Sequence, residues 1–291
     1  MPWDKAYYCP RYDRQQSDPS DAVLPDLQRN GNPKVWVRGV SVYERDLNMN
    51  KETDIGKVRK TAEFLLWMEP IPTKYSPMIV QHPFTKSGMC MVKIDGENQM
   101  IDITASRENL RLWQKEMSDF LERADLSMIY TFLNPSYGLV FLKYAEPYLS
   151  QRDFSEMLAD IWILSENPNC DANVSKAELR KMFREADPAI LMDEDERKTL
   201  SELDDTVTVY RGVTSHNSKN IRALSWTLKS ETAEWFAHRF GENGTVYEAQ
   251  IDKKHIFALF NGRNESEVIV DPQYLMKIEE MQTPEIGMSL Q

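Results

Sequence analysis

The spacing of apolar residues changes near residue 205, and this change constrains the fold more than any other feature of the sequence. Between residues 106 and 204, apolar side chains recur at the spacing of helices that bury one face. From Thr206 onward, the pattern becomes one of short strand-like segments around a single helical segment. A helical stretch followed by a stretch of strands predicts an α+β fold.

Capping residues predict where several helices begin. Ser175 and Glu178 have the spacing of a capping box, in which each side chain bonds the backbone N–H of the other residue. Ser106 precedes a segment with one apolar face, and a shorter helix is expected to begin near Asp193. A further helical pattern follows Asp153 and includes Met157, Leu158, Ile161 and Trp162.

The last third of the chain predicts short strands and one helix. Ser230 is expected to cap that helix, and Gly241 marks its end. The helix lies between the second and third of the predicted strands, which are residues 206–213, 223–228, 245–251, 255–260 and 266–270.

The first third of the chain is less regular. Residues 1–33 are rich in Asp, Pro, Gln and Asn and lack periodicity, so we expect a tail that is poorly ordered or draped on another domain. A strand is predicted at Lys34–Tyr43, and a helix is predicted to stop at Pro70. The apolar face of that helix comprises Val58, Ala62, Leu65 and Leu66.

A hairpin is predicted at the end of this region. Residues 89–94 and 99–104 flank Asp95–Asn98, a loop longer than two residues. We therefore expect three regions. They are a tail at 1–33, a smaller α+β domain of unknown role at 34–105, and a larger domain at 106–291 with a helical part at 106–204 and a β core at 205–275.

The net charge of −11 argues against a general nucleic-acid binder, because neutralising phosphates requires clustered Lys and Arg. An anionic small molecule remains compatible with this charge, since one or two arginines in a cleft can hold a diphosphate.

The few cysteines and histidines predict neither disulfides nor a metal site. Cys9, Cys90 and Cys170 are widely spaced and are expected to be free thiols of a reducing compartment. The four histidines lack metal-ligand spacing, so we expect no metal. The N-terminal segment lacks the apolar core of a signal peptide, and no later run suits a membrane span. We expect a cytoplasmic protein without membrane contact.

Polar residues on three of the predicted strands form a candidate active site. Arg211 ends the first strand, and Gly212 after it permits close backbone approach. On the next strand, alternation places the hydroxyls of Ser225 and Thr227 on one face. On the last strand, alternation places the carboxylates of Glu265 and Glu267 on one face. Each element alone is typical of an ion pair or a solvated strand, whereas their order and spacing together are specific.

That order resembles the arginine–serine–glutamate, or cholera-toxin-like, clade of ADP-ribosyltransferases of the bacterial or phage type. The resemblance covers residues 206–272 and departs in the middle motif, where Ser225-Trp226-Thr227 replaces a Ser-Thr-Ser-type triplet. It implies a mixed β-sandwich with flanking helices, preceded here by the smaller N-terminal domain. It also implies NAD as the substrate, with no metal and no Gly-rich dinucleotide loop.

The resemblance implies a role for each motif residue. Glu267 would stabilise positive charge on the nicotinamide ribose, as carboxylates do in glycoside hydrolysis. Ser225 would fix the rotamer of Glu267, with Thr227 supporting the same cleft, and Arg211 would hold a phosphate or the ribose. Glu265 would orient or deprotonate an acceptor arginine.

The loop before Glu265 resembles an acceptor-recognition turn. Within it, Phe260 and Arg263 are candidate acceptor contacts, although a core phenylalanine at a strand end is an equal alternative for Phe260. The candidate cofactor-binding set is Arg211, Gly212, Ser225, Thr227 and Glu267.

These features predict a toxin-like mono-ADP-ribosyltransferase that modifies a macromolecule, with protein arginine as the expected acceptor. Two alternatives remain open. In an NAD glycohydrolase, water replaces the acceptor. An interaction protein on the same fold would have lost catalysis. A nucleic-acid acceptor is disfavoured by the acidity of the chain.

Overall fold

A computed structural model describes residues 51–241 and 243–281 of the chain. Backbone contacts divide the chain into Met1–Asn48 and Met49–Gln291, and the description below concerns the second unit. The predicted tail at residues 1–33 and the predicted strand Lys34–Tyr43 lie outside the described residues. The described part is α+β, with several antiparallel sheets. The domain boundary expected at residue 105 stays a prediction.

The first described helix, α1 (Ile55–Leu66), buries the apolar face predicted for it. The side chain of Asp54 caps it by accepting from the backbone N–H of Lys57 at 3.1 Å. The helix ends four residues before Pro70, with Trp67 as the C-cap. A three-stranded antiparallel sheet then follows, and the sequence did not predict it because its residues are mostly exposed. Its strands are β1 (Ile71–Thr73), β2 (Ser76–His82) and β3 (Thr85–Ser87).

The predicted hairpin is present, but its turn is tighter than expected. Strands β4 (Met89–Ile94) and β5 (Glu97–Asp102) pair so that Ile94 lies opposite Glu97. This register leaves a two-residue turn of Asp95 and Gly96, whose φ angles are +52° and +89°. Positive φ at both positions is the type I′ turn that Asp-Gly favours. The second strand therefore begins two residues earlier than predicted.

The chain is helical in most of its length between Arg107 and Glu202. The capping box of Ser175 and Glu178 is confirmed, and Ser106 and Asp193 are N-caps as predicted. The pattern after Asp153 belongs to a helix that begins earlier, with Ser150 as its N-cap. The helices are α2 (Arg107–Leu121), α3 (Leu126–Phe132), α4 (Gly138–Ala145), α5 (Gln151–Leu164), α6 (Lys176–Glu185), α7 (Pro188–Leu191) and α8 (Glu194–Glu202). None of the helices in the described ranges is long and apolar enough to cross a bilayer.

The last third of the chain forms a six-stranded sheet. In spatial order, its strands are β11 (Met276–Glu280), β8 (Thr245–Asp252), β6 (Thr206–Val213), β7 (Ser225–Thr227), β10 (Glu267–Val270) and β9 (Ile256–Phe260). The five predicted strands are present within two residues of their expected bounds, whereas β11, which is mainly polar and exposed, was not predicted. Lys229 is the N-cap of α9 (Ser230–Ala237), so Ser230 is its first residue instead of its cap.

The six-stranded sheet is nearly divided at its middle. All eight residues of β6 pair with β8, but β6 pairs with β7 only through Tyr210 and Thr227. We call this junction between β6 and β7 the seam. Every recorded pair in this sheet is antiparallel, which differs from the mixed sandwich that was expected. Helix α9 lies between β7 and β8 in the chain, but these strands are not neighbours, so the connection creates no parallel pair.

A buried ion pair fixes the helices to the sheet. Arg180 of α6 donates to both carboxylate oxygens of Asp271 at 2.8 and 3.0 Å, just after β10 ends. Arg184 adds a third bond to the same carboxylate at 3.2 Å. Burial raises the pKa of Asp271, but the bonds from Arg180 and the backbone outweigh it and leave that pKa lowered. Helix α6 is thereby held against the end of β10.

Gly212 packs against helix α9. A Cβ added to Gly212 would lie 2.1 Å from the backbone oxygen of Ala233 and 2.5 Å from the backbone nitrogen of Ala237. Neither atom can move without distorting the helix. The close approach that a glycine permits here is therefore made by α9, while a role for Gly212 in cofactor binding stays a prediction.

Replacing Gly212 with Ala is expected to lower the free energy of unfolding by about 3 kcal/mol, the order found when a filled interface is overpacked. The matched control is Gly262→Ala, because no described atom lies within 4 Å of the added Cβ at Gly262. Urea denaturation of the two variants measures the difference. Equal midpoints for Gly212→Ala and Gly262→Ala would contradict this packing.

Candidate active site

The seam brings together the motif residues of three strands. Thr227 of β7 pairs with Tyr210 of β6 on one side and with Glu267 of β10 on the other. Ser225 lies two residues before Thr227 and therefore on the same face of β7. Arg211 follows Tyr210 directly along β6. Arg211 and Glu267, which are 56 positions apart in the sequence, are thus both placed next to the seam.

Glu267 is a buried carboxylate that the surrounding protein holds with donors. It is 9% exposed, and the side chains of Ser225 and Trp162 both act to lower its pKa. The indole Nε1 of Trp162 donates to its Oε1 at 3.2 Å. Burial raises the pKa of Glu267, while the bonds from Ser225 and Trp162 act in the opposite direction. The role expected for Ser225, to orient this carboxylate, stays a prediction.

Trp162 is a site residue that the sequence did not identify. It lies on α5, is fully buried, and packs edge-on against Phe183 with 4.8 Å between ring centroids. Its spacing along the helix predicted a core position, which is correct. A buried indole N–H needs an acceptor, but sequence alone does not show that this acceptor is Glu267, 105 residues away.

Arg211 is a buried cation with spare donor capacity. One of its terminal nitrogens donates to the backbone oxygen of Ser225 at 2.5 Å. Its Nε is buried and finds no hydrogen-bond partner among the described residues. Burial lowers the pKa of Arg211 to about 10, and the nearby Cys170 and Glu267 oppose this shift. A buried guanidinium with an unused N–H is suited to bind an anionic or polar ligand.

Lys176 adds a second positive charge near Arg211. It is the first residue of α6, and its Nζ donates to the backbone oxygen of Arg222. Burial lowers the pKa of Lys176, and the charge of Arg211 lowers it further, so the two cations are within electrostatic range. Two cations within electrostatic range of each other create a local positive potential in a chain whose net charge is −11. The sequence did not single out Lys176, because a lysine at a helix start is common.

Asn169 supports the strand that carries Ser225. Its side-chain oxygen accepts from the backbone N–H of Leu224 at 3.0 Å and from that of Ser225 at 3.4 Å. Its own backbone oxygen accepts from the side chain of Asn220 at 3.2 Å. The short β7 is thus tied to the segment that joins α5 and α6.

Glu265 lies in the loop before β10, and not on the strand as predicted. The strand begins at Glu267, and Ser266 has a φ of +46°, which breaks the expected alternation. The hydroxyl of Thr227 donates to the backbone oxygen of Glu265 at 2.6 Å and keeps the loop near the seam. Glu265 also raises the pKa of Glu267, so the two carboxylates interact. They are close, but through a left-handed residue instead of a shared strand face.

The two acceptor candidates differ in exposure. Phe260 ends β9, is 3% exposed and belongs to the core, which agrees with the core alternative for this residue. Arg263 has a 41% exposed side chain, and its Nε lies 3.6 Å from a carboxylate oxygen of Glu265. Of the two, Arg263 is placed to meet a partner in solution.

No group of His, Cys, Asp and Glu side chains in the described ranges is arranged to hold a metal ion. Cys90 and Cys170 are free thiols.

Replacing Glu267 with Gln is expected to raise the stability of the fold at neutral pH. Because its pKa in the folded state is raised, Glu267 stabilises the fold below its unfolded pKa of about 4.3, and this stabilisation is lost as pH rises through the folded value. Gln does not ionise. We expect equal denaturation midpoints near pH 4 and a higher midpoint for Glu267→Gln at pH 8, measured by urea titration. A lower midpoint for the variant at pH 8 would show that the ionised carboxylate stabilises the fold.

Comparison with known proteins reveals no relative of this chain. No family model matches it, and neither a curated protein nor a solved structure matches it.

Proposed function

We propose that this chain cleaves NAD between nicotinamide and ribose and transfers the ADP-ribose to an arginine of a protein. The observation that carries the proposal is the buried carboxylate of Glu267, which Ser225 and Trp162 orient within electrostatic range of Arg211. The order of Arg211, Ser225 and Glu267 along the chain, which resembles that of cholera-toxin-like ADP-ribosyltransferases, supports the same reaction.

The reaction requires a fixed negative charge. When the glycosidic bond breaks, its electron pair leaves with nicotinamide, and positive charge develops on the ribose carbon C1′ and the ring oxygen. A carboxylate held beside the ribose stabilises that charge, as at the transition states of glycoside hydrolysis. Glu267 suits this role because its donors fix its orientation before substrate arrives. The raised pKa of Glu267 leads us to expect activity to fall as the pH decreases through that value.

Arg211 and Lys176 provide the anion-binding side of the proposed site. NAD carries two phosphates, and an acidic chain needs a local positive potential to hold them. The unpartnered Nε of Arg211 and the nearby ammonium of Lys176 offer that potential. Under this proposal, the two halves of the sheet joined at the seam are the two layers of an ADP-ribosyltransferase-like sandwich, and the substrate lies between them.

Glu265 supports arginine as the acceptor. Its side chain is 25% exposed, and it already pairs with a guanidinium, that of Arg263. A carboxylate in this position can orient an incoming guanidinium and accept its proton. A protein acceptor fits the net charge of −11 better than a nucleic acid does. The free thiols of Cys90 and Cys170 fit a reducing compartment, and we place the activity in the cytoplasm.

Replacing Glu267 with Gln is expected to lower the rate of nicotinamide release about 10²- to 10⁴-fold, the scale for losing one electrostatic or proton-handling group. The full chain is incubated with NAD and a protein extract, and released nicotinamide is quantified by chromatography. Glu279→Gln is the matched control, because Glu279 is an exposed carboxylate on β11. Its rate should equal that of wild type.

The outcomes separate the alternatives. Nicotinamide release that occurs equally without extract and without label on any protein would assign an NAD glycohydrolase. No release by wild type would assign an interaction protein instead. Equal rates for Glu267→Gln and wild type would contradict the role of Glu267.

Replacing Trp162 with Phe is expected to lower kcat/KM about 10- to 100-fold, which corresponds to losing a hydrogen bond to a charged group. The loss of the indole donor should also move the acid limb of the pH profile to higher pH, because that bond lowers the pKa of Glu267. Trp226→Phe is the control, since Trp226 is equally buried but donates to the backbone oxygen of Ala223. If both variants share one acid limb with wild type, Trp162 is only a packing residue.

A further inference from the structure

Arg263 is the arginine that pairs with Glu265, the carboxylate assigned to the acceptor under the proposed function. Its Nε is 3.6 Å from Glu265, and its charge also lowers the pKa of Glu267. One guanidinium of this chain therefore interacts with both carboxylates of the proposed site, the one assigned to the acceptor and the one assigned to the ribose.

The loop that carries Arg263 is fixed on both sides. The backbone N–H of Asn261 donates to the buried Glu196 at 2.7 Å, and the N–H of Asn264 donates to the backbone oxygen of Asn261 at 2.8 Å. Beyond the arginine, the hydroxyl of Thr227 holds the backbone of Glu265 at 2.6 Å. The position of Arg263 next to Glu265 thus follows from the backbone, and not only from an ion pair between flexible side chains.

The guanidinium remains accessible and exchangeable. The side chain of Arg263 is 41% exposed and that of Glu265 is 25% exposed, so the pair faces solvent. Pairs with this exposure are weak, because water screens them. A weak, exposed pair of this kind exchanges partners readily, so Arg263 is not locked to Glu265.

We propose that Arg263 is an internal acceptor, and that the chain ADP-ribosylates this residue when it acts on NAD. This inference rests on the proposed function. A terminal nitrogen of Arg263 forms a bond to C1′ of the ribose as the bond from C1′ to nicotinamide breaks, and nicotinamide leaves with the electron pair. The proton lost by the guanidinium passes to Glu265. The products are ADP-ribosylated Arg263, nicotinamide and one proton.

Such a modification limits the activity of the chain. The attached ADP-ribose places two phosphate charges and a nucleoside beside Glu265, where an external acceptor must approach. The modified chain then transfers ADP-ribose to other arginines more slowly, while each chain modifies itself once. Modification of Arg263 therefore inhibits further transfer by the same chain.

The test uses the full chain with NAD labelled in its adenylate phosphate, in the absence of any other protein. Label should appear on the chain, and mass spectrometry should place it on Arg263. Arg263→Lys should reduce the label by about tenfold or more, because lysine keeps the positive charge but lacks the guanidinium nitrogen that attacks the ribose. Arg152→Lys is the control, because Arg152 is a 77% exposed arginine on α5, and its label should equal that of wild type.

A second measurement follows this inhibition. After incubation with unlabelled NAD, wild type should transfer label to agmatine, a small guanidino compound, several-fold more slowly than without that incubation. Arg263→Lys should show no such decline. Label on a different residue, or an equal decline in both chains, overturns the inference while the proposed function stands. If wild type releases no nicotinamide, the proposed function fails and this inference fails with it.

Discussion

Glu267 is nine-tenths buried, and a buried carboxylate is costly unless hydrogen-bond donors surround it. The other residues of the candidate site are placed so that they supply or support those donors. One donor, Ser225, comes from the neighbouring strand, and another, Trp162, comes from a helix that precedes the sheet in sequence. Neither part of the chain can complete the site alone. The bonds between Arg180 and Asp271 fix α6 at the end of β10. They therefore hold the helices against the strand that carries Glu267.

The seam explains why the polar groups gather at this point of the sheet. A central strand normally uses its backbone groups along its whole length, yet β6 and β7 share only the pair of Tyr210 and Thr227. Beyond this pair, side chains bond the backbone groups that the neighbouring strand leaves unpaired. Arg211 donates to the backbone oxygen of Ser225, and Asn169 accepts from the backbone N–H groups of Leu224 and Ser225. These side-chain bonds join the two halves of the sheet where the backbone ladder is interrupted.

The sequence predicted what depends on local pattern and missed what depends on distant contacts. Helix starts at Ser106, Ser175 and Asp193 follow from capping chemistry, and five of the six strands of the large sheet follow from alternation, so these were found. The small exposed sheet of β1–β3 carries little apolar pattern and was missed. The partnership of Trp162 with Glu267 spans 105 residues and leaves no local trace. The alternation predicted across Glu265–Glu267 was also wrong, because Ser266 has a left-handed backbone conformation. Glycine is the usual residue in that conformation, so a serine gives no sign of it in the sequence.

Three residues at or next to the seam are in conformations or environments that destabilise the folded state. They are Ser266, Glu267 and Arg211. A non-glycine residue with φ of +46°, a carboxylate with a raised pKa and a buried guanidinium with an unused N–H all cost folding free energy. Their neighbours supply the compensation, since the core around Trp162 and Phe183 and the ion pair at Asp271 are well satisfied. The three groups lie at or next to the seam, and strained or unsatisfied groups of this kind are common at functional sites. A bound substrate that meets the N–H of Arg211 and the charge of Glu267 would relieve what the fold alone leaves unsatisfied.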